Sequence, residues 1–328
     1  MTKKIKNIWR EDKFYIISLL ILIIICNYRM PYYVTAPGGT ININDRIEYE
    51  DKTDYEGSFN MLYVTQYEAT IPIYLASYLI KDWDLESITE NQISNENHKE
   101  IDFRNKIMLE SSINNATYVA YTHANKEIEI ENKKNFIIAT LYDMNLKIGD
   151  EILQINDVDI NDLEDIKRVV SEHEVGNTLT VKIVRNEKVK EVEVIVRDMD
   201  GEKGIGIVVM TNYKYKTNPK IELNFKKSES GSSGGLMMAL SIYSAISGED
   251  ILKGRNIAGT GTIDNYGNVG KIDGIKYKIM GAVKNNMDVV LVPSANYKEA
   301  KELVEERNYD IKLIEIKTFN DAIEYLNS

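Results

Sequence analysis

Residues Phe14 to Cys26 form an apolar run broken only by Ser18. A run of that kind decides which solvent the rest of the chain meets. It lengthens through Tyr28 to Val34 if Asn27, Arg29 and Pro31 sit at an interface. Phe14–Val34 then reaches the ~20 residues a helix needs to cross a bilayer, with Tyr28, Tyr32 and Tyr33 suited to the headgroup zone. A cleaved signal peptide and a buried core helix are the competing readings. No small-x-small cleavage site follows, and a core helix would be amphipathic rather than apolar all round. The run is therefore read as one N-terminal transmembrane helix. Lys3, Lys4, Lys6, Arg10 and Lys13 precede it and only Arg29 follows closely. This bias predicts a cytoplasmic N-terminus and a cell-membrane, single-pass protein whose main body, from about residue 35, lies outside.

The formal net charge of -11 over 328 residues argues against a nucleic-acid partner, which would favour a basic face. Cys26 is the only cysteine, so the body has no internal disulfide and no cysteine metal site. His98, His123 and His173 lie far apart without ligand spacing. No metal and no cofactor is expected.

Tyr32–Thr35 reads as a short strand ended by Pro37-Gly38-Gly39, and Ser58–Tyr67 as a strand rich in aromatic and β-branched residues. Ala69–Leu79 reads as a helix with Ile73, Ala76 and Leu79 on one face. Residues 82–100 read as a loop and Phe103–Ala124 as a long helix. Further on, strands are expected at 136–138 and 151–155, a helix at 163–173, and one-face-solvated strands at 178–184 and 190–196. Within this stretch, Leu146-Lys147-Ile148-Gly149-Asp150-Glu151-Ile152-Leu153-Gln154-Ile155-Asn156, then Leu163-Glu164-Asp165-Ile166 and Val181–Arg185, resemble a PDZ domain. Such domains bind peptide ends by adding a strand to a sheet edge. The usual Gly-Leu-Gly-Phe carboxylate loop is not visible, which leaves recruitment and gating both open.

Ser228-Glu229-Ser230-Gly231-Ser232-Ser233-Gly234-Gly235 is the densest small-residue stretch and runs into an apolar helix, Leu236–Ile246. A glycine-rich loop opening a helix has N–H groups free to hold an anion, a phosphate or the oxyanion of acyl transfer. Downstream come Thr260-Gly261-Thr262-Ile263 and Gly267-Asn268-Val269 through Lys278. Together these segments resemble the proteolytic domain of Lon-type proteases, in particular the anchored, ATPase-free branch that joins it to a PDZ domain.

The resemblance implies an α+β fold: a Lon-type proteolytic domain (ribosomal S5 domain 2-like) carrying the PDZ-like unit as an insertion. Gly231-Ser232-Ser233-Gly234-Gly235 stands where the family has Gly-Pro-Ser-Ala-Gly, which makes Ser233 the nucleophile. Ser232 and Gly234 replace proline and alanine, and Gly231 keeps the first glycine. Lys278 stands at the catalytic lysine, with Asp273 replacing one glycine of that motif, and Thr260 is placed to hydrogen-bond the lysine. Met108–Ser112 followed by Ala116 resembles a helix near the start of the same domain. The implied organisation is 1–34 cytoplasmic tail and anchor, 35–124 first part of the proteolytic body, 125–200 PDZ-like domain, and 201–328 catalytic domain. Partners would be protein or peptide substrates and the cytoplasmic membrane, with a homo-oligomer left open.

An ordinary lysine titrates near 10.4 and is protonated at neutral pH. Burial beside Ile275 and Ile279 would lower that value and free an amine to take the serine proton. No histidine neighbours either motif, which suits a Ser-Lys dyad better than a Ser-His-Asp triad. No Walker A pattern occurs, so the implied activity is ATP-independent cleavage of unfolded or flexible polypeptide. Two alternatives compete with it. A catalytically inactive peptide-binding adaptor requires a broken dyad. A small-molecule kinase of the galactokinase and mevalonate-kinase type would explain the glycine-rich loop but not the Lys278 segment.

Overall fold

The computed structural model describes residues 12–49, 56–87, 96–226 and 228–328. The chain forms two compact units, one of Met1–Gly38 with Val64–Asn91, the other of Gly39–Tyr63 with Gln92–Ser328.

The first unit opens with helix α1, Lys13–Asn27, none of whose residues is buried. It ends earlier than the apolar pattern suggests. Tyr28 is extended (φ -67, ψ 119), and Arg29–Asn42 form strand β1. Fifteen residues at ~1.5 Å each span roughly 22 Å, short of the ~30 Å hydrocarbon core. No helix among the described residues is long and apolar enough to cross a membrane. The expected span Phe14–Val34 is corrected accordingly: its last residues are strand because Tyr32–Thr35 pair with another strand and Val34 and Thr35 bury their side chains. Lys3, Lys4, Lys6 and Arg10 lie outside the described residues. Pro37-Gly38-Gly39 does not end β1. A Cβ on Gly39 would lie 3.1 Å from the Tyr63 hydroxyl, so the glycine lets the strand pass close beneath that ring.

Strand β2, Ser58–Thr70, leads to helix α2, Ile71–Ser77, and then to strand β3, Asp84–Ser87, which pairs antiparallel with β1. The expected loop 82–100 thus contains a strand and the start of the next helix, while 88–95 lie outside the described residues.

In the second unit, helix α3 spans His98–His123. It starts five residues before the expected Phe103. The Asn97 side chain accepts from the Lys99 and Glu100 N–H groups, and Glu100 accepts from Asn97 N–H, a reciprocal cap. Strand β4, Glu127–Thr140, runs into the PDZ-like region: strand β5 (Glu151–Ile155), helix α4 (Leu163–Ser171), and strands β6 (Thr178–Arg185), β7 (Lys188–Ile195) and β8 (Ile207–Asn218). The sheet order is β8-β4-β5-β6-β7, which leaves β8 at an edge. Its core gathers Leu146, Ile152, Ile155, Val169, Leu179 and Val181. β4 and β8 pair from Glu127↔Asn218 to Thr140↔Ile207, forming one long antiparallel ribbon.

The chain then enters helix α5 (Gly235–Ser247), strand β9 (Asn256–Gly259), helix α6 (Ile275–Lys284), strand β10 (Val289–Pro293), helix α7 (Ser294–Arg307), strand β11 (Lys312–Ile316) and helix α8 (Phe319–Asn327). β11, β10, β9 and the first residues of β2 form a parallel sheet. All-parallel strands are covered on both faces, and Val289–Pro293 is accordingly buried throughout. The main core joins Ile43 and Phe59 with Val119, Leu236, Leu240 and Phe319, residues from both sides of the PDZ-like segment.

Candidate active site

α5 is the most deeply buried helix near the glycine-rich loop, with Gly235 through Ser244 all buried. That burial fixes the loop at its N-terminus. Gly231 adopts φ +89, a conformation favouring glycine, and donates its N–H to the Asn105 carbonyl at 3.3 Å. Upstream, Glu229 receives Arg46 through two hydrogen bonds of 3.2 and 2.7 Å and the Lys226 N–H at 2.8 Å. Burial pushes the Glu229 carboxyl up, but Arg46 and the Lys226 N–H outweigh it, so the group is held below its ordinary value.

Two consecutive carbonyls in the loop are pinned. Ser232 C=O accepts from Ser112 Oγ on α3 at 3.0 Å and from Gly235 N–H at 3.3 Å. Ser233 C=O accepts from Gly261 N–H at 2.7 Å and from Thr260 Oγ1 at 3.0 Å. In a trans peptide the N–H points opposite to the C=O of the same unit. The N–H groups of Ser233 and Gly234 therefore point away from these four donors, and neither meets an acceptor among the described residues. Two adjacent unpaired donors at a helix start suit an oxyanion.

Lys278 lies one turn into α6, whose first residue follows Gly274 at φ +68. Its side chain is buried, with 3% of the residue exposed, on the helix whose Ile275 and Ile279 join Ile272 in a further core of this unit. Nζ donates to Thr260 Oγ1 at 3.2 Å. Desolvation lowers the amine to about 8, against the opposing pull of the Asp273 charge. Thr260 is itself fully buried, and its hydroxyl accepts from the lysine while donating to the Ser233 carbonyl. One hydroxyl thus joins the buried amine to the backbone of Ser233. Ser233 is half-buried, as are Gly231 and Ser232.

Gly234 has a local reason. A Cβ there would lie 2.6 Å from Met61 Sδ, so the methionine of β2 fills the volume an alanine methyl would take. A Cβ on Gly235 would lie 2.9 Å from both Ser112 Oγ and Ile263 Cγ2, which fixes glycine where the loop meets α3.

The structure links Lys278 through Thr260 to the backbone carbonyl of Ser233, three residues the sequence singled out, and adds Ser112, Asn105, Asn115, Arg46 and Met61. Asn115 Nδ2 donates to the Ile263 carbonyl at 3.0 Å. Asn105, Ser112 and Asn115 fall at helical spacing on one side of α3. That periodicity was available in the sequence; what they hold was not, because their partners lie more than a hundred residues away.

Residues 226–327 match the Lon protease (S16) C-terminal proteolytic domain, and residues 141–196 match the PDZ domain. Both domains are present in this chain, and the first is that of a serine peptidase. Lon protease of Mesomycoplasma hyopneumoniae is 34% identical over 96 residues, covering 29% of this chain and 11% of that protein. Lon protease 2 of Borreliella burgdorferi is 29% identical over 119 residues, covering 35% and 15%. The chain thus spans only a small fraction of the length of the curated relatives it matches. The PDZ domain of an SdrC-like protein from Listeria monocytogenes is 18% identical, with a TM-score of 0.23, covering 25% of this chain and 92% of that one.

Proposed function

We propose that this chain is a membrane-anchored, ATP-independent serine endopeptidase that cleaves unfolded or flexible polypeptide outside the cell membrane. The observation that carries the reading is the buried Lys278 amine, lowered to about 8 and joined through Thr260 to Ser233. An amine with that value is partly neutral near pH 7 and able to act as a general base.

In this reaction neutral Lys278 takes the Ser233 hydroxyl proton as Oγ attacks the scissile carbonyl. The N–H groups of Ser233 and Gly234 receive the oxyanion. The ammonium then returns its proton to the departing amine, and the acyl-enzyme is hydrolysed with water as second nucleophile. Thr260 positions the amine. Ser233 is preferred over Ser232 because its own carbonyl is tied to Thr260, whereas that of Ser232 is tied to Ser112.

The PDZ-like sheet offers extended peptide the free edge of β8. The apolar surface of α1, none of it buried, supports membrane attachment, and the basic residues before the run support an outward-facing body. The reading is tested by Ser233→Ala and Lys278→Ala in the detergent-solubilised full chain. Each is expected to abolish cleavage of an unfolded protein with the circular dichroism spectrum unchanged; wild-type rates in either variant rule out the dyad.

A further inference from the structure

The segment Ile71-Pro72-Ile73-Tyr74-Leu75-Ala76-Ser77-Tyr78-Leu79-Ile80 carries no charge, and Lys81-Asp82 follow it directly. Its spacing predicts a helix with Ile73, Ala76 and Leu79 on one face. The structure forms the helix, yet none of its residues is buried. Leu75 is 58% exposed, Tyr78 68% and Leu79 87%, with Ile80 and Tyr67 also exposed. Leu79 and Ile80 N–H both bond to the Ala76 carbonyl, so the helical turn continues past Ser77. Leu75, Tyr78 and Leu79, three and four residues apart, share one face. Tyr74 lies between Tyr32, at a tilt, and Tyr78, edge-on, with centroids 5.4 Å from each, and Tyr67 packs against Trp83 at 6.0 Å. These contacts lock the rings in place without covering the aliphatic side chains.

Exposed apolar surface of this extent marks an interaction site. Within the same unit, α2 lies beside α1, whose apolar side chains from Leu19 to Ile25 are exposed. Tyrosine and tryptophan beside leucine and isoleucine, with charge only beyond the segment, is the composition of a surface at the boundary between headgroups and acyl chains. We propose that Ile71–Ile80 lies in the bilayer interface beside α1 and forms a second membrane contact. The inference rests on the membrane-anchored reading above. On this account the short helix pins the first unit to the surface, with Lys81-Asp82 and Trp83 at the headgroup level.

Trp83 reports on the segment once Trp9, the other tryptophan, is replaced by phenylalanine. The Trp9→Phe chain is reconstituted into vesicles of phosphatidylethanolamine and phosphatidylglycerol. Lipid nitroxides placed near the headgroup or near the acyl terminus then quench its fluorescence. Strong quenching by the shallow label and weak quenching by the deep one is expected. Adding Leu75→Asp and Leu79→Asp is expected to abolish the shallow quenching while the chain still floats with the vesicles and still cleaves a soluble peptide. A chain that floats while Trp83 stays unquenched overturns this inference and leaves the anchor standing. Quenching that survives both aspartates overturns it as well. If a cysteine placed at Leu79 in a Cys26→Ser background cross-links two copies while Trp83 stays unquenched, a second copy covers the face and the inference fails. A chain that does not float at all overturns both the anchor and this contact.

Discussion

At Lys278 the sequence motif and the physics of burial meet. Moving the amine from its ordinary 10.5 to about 8 corresponds to roughly 3 kcal/mol against the charged form in the fold. A base whose folded value is depressed binds fewer protons folded than unfolded between the two values. The penalty is therefore complete below about 8 and fades as pH rises toward 10.5. Lys278→Met is expected to raise the unfolding midpoint at pH 7 while removing activity, and the gain should shrink by pH 10; calorimetry at both pH values checks it. Catalysis carries the opposite demand. The rate should climb as pH rises through about 8 and level off above it, because only the neutral amine accepts the serine proton. Thr260→Val keeps the shape of the side chain but removes the hydroxyl that joins amine to loop. It is expected to lower kcat by about tenfold or more, through the loss of the two buried hydrogen bonds that position amine and loop, with KM little changed, as read by steady-state kinetics.

Among the elements, α3 carries a role that local sequence did not disclose. Its amphipathic spacing foretold a helix, and the resemblance of Met108–Ser112 tied it to the proteolytic body. Nothing local could say that Ser112 reaches the Ser232 carbonyl 120 residues on. By holding that carbonyl, Ser112 turns the Ser233 N–H outward. Ser112→Ala is expected to lower kcat about tenfold, less than the ~10²–10³ for deleting an oxyanion donor outright, while Ser112→Thr restores it; single-turnover kinetics separates this from a binding defect. Gly234 is the converse case. Compared with the family pattern it looks like a loosened loop, yet Met61 Sδ occupies the missing methyl's place. Gly234→Ala is expected to cost about 1–3 kcal/mol as overpacking, and Met61→Ala in the same chain to recover part of it, as denaturant midpoints will show. The reach of β1 was hidden for a related reason: Pro37-Gly38-Gly39 reads as a turn until Tyr63 is seen to require the close approach.

For the whole molecule, short-range motifs marked out the PDZ-like sheet and the segments that match the Lon proteolytic domain. The N-terminal region was harder. An apolar run states that a segment avoids water but not where helix gives way to strand, and β1 forms because β2 and β3, both later in the chain, flank it in the sheet. The β4–β8 ribbon is both the way into and the way out of the PDZ-like sheet, and it packs against α3, the helix that also holds the Ser232 carbonyl. In the PDZ-like unit Asp150, almost fully buried, receives Arg185 in two bonds of 2.7 Å. Asp150→Ala is expected to destabilise it by ~3–5 kcal/mol through the charge left unpaired, with hydrogen exchange rising across β5 and β6.

The most direct test of the account is the rate of cleavage of an unfolded protein by the full chain between pH 6 and 10, compared with Lys278→Ala. The wild type should rise through a single step near 8, and the variant should lack both the step and the activity. A Lys278→Ala chain that cleaves at the wild-type rate, or a wild-type profile flat across that range, would contradict it.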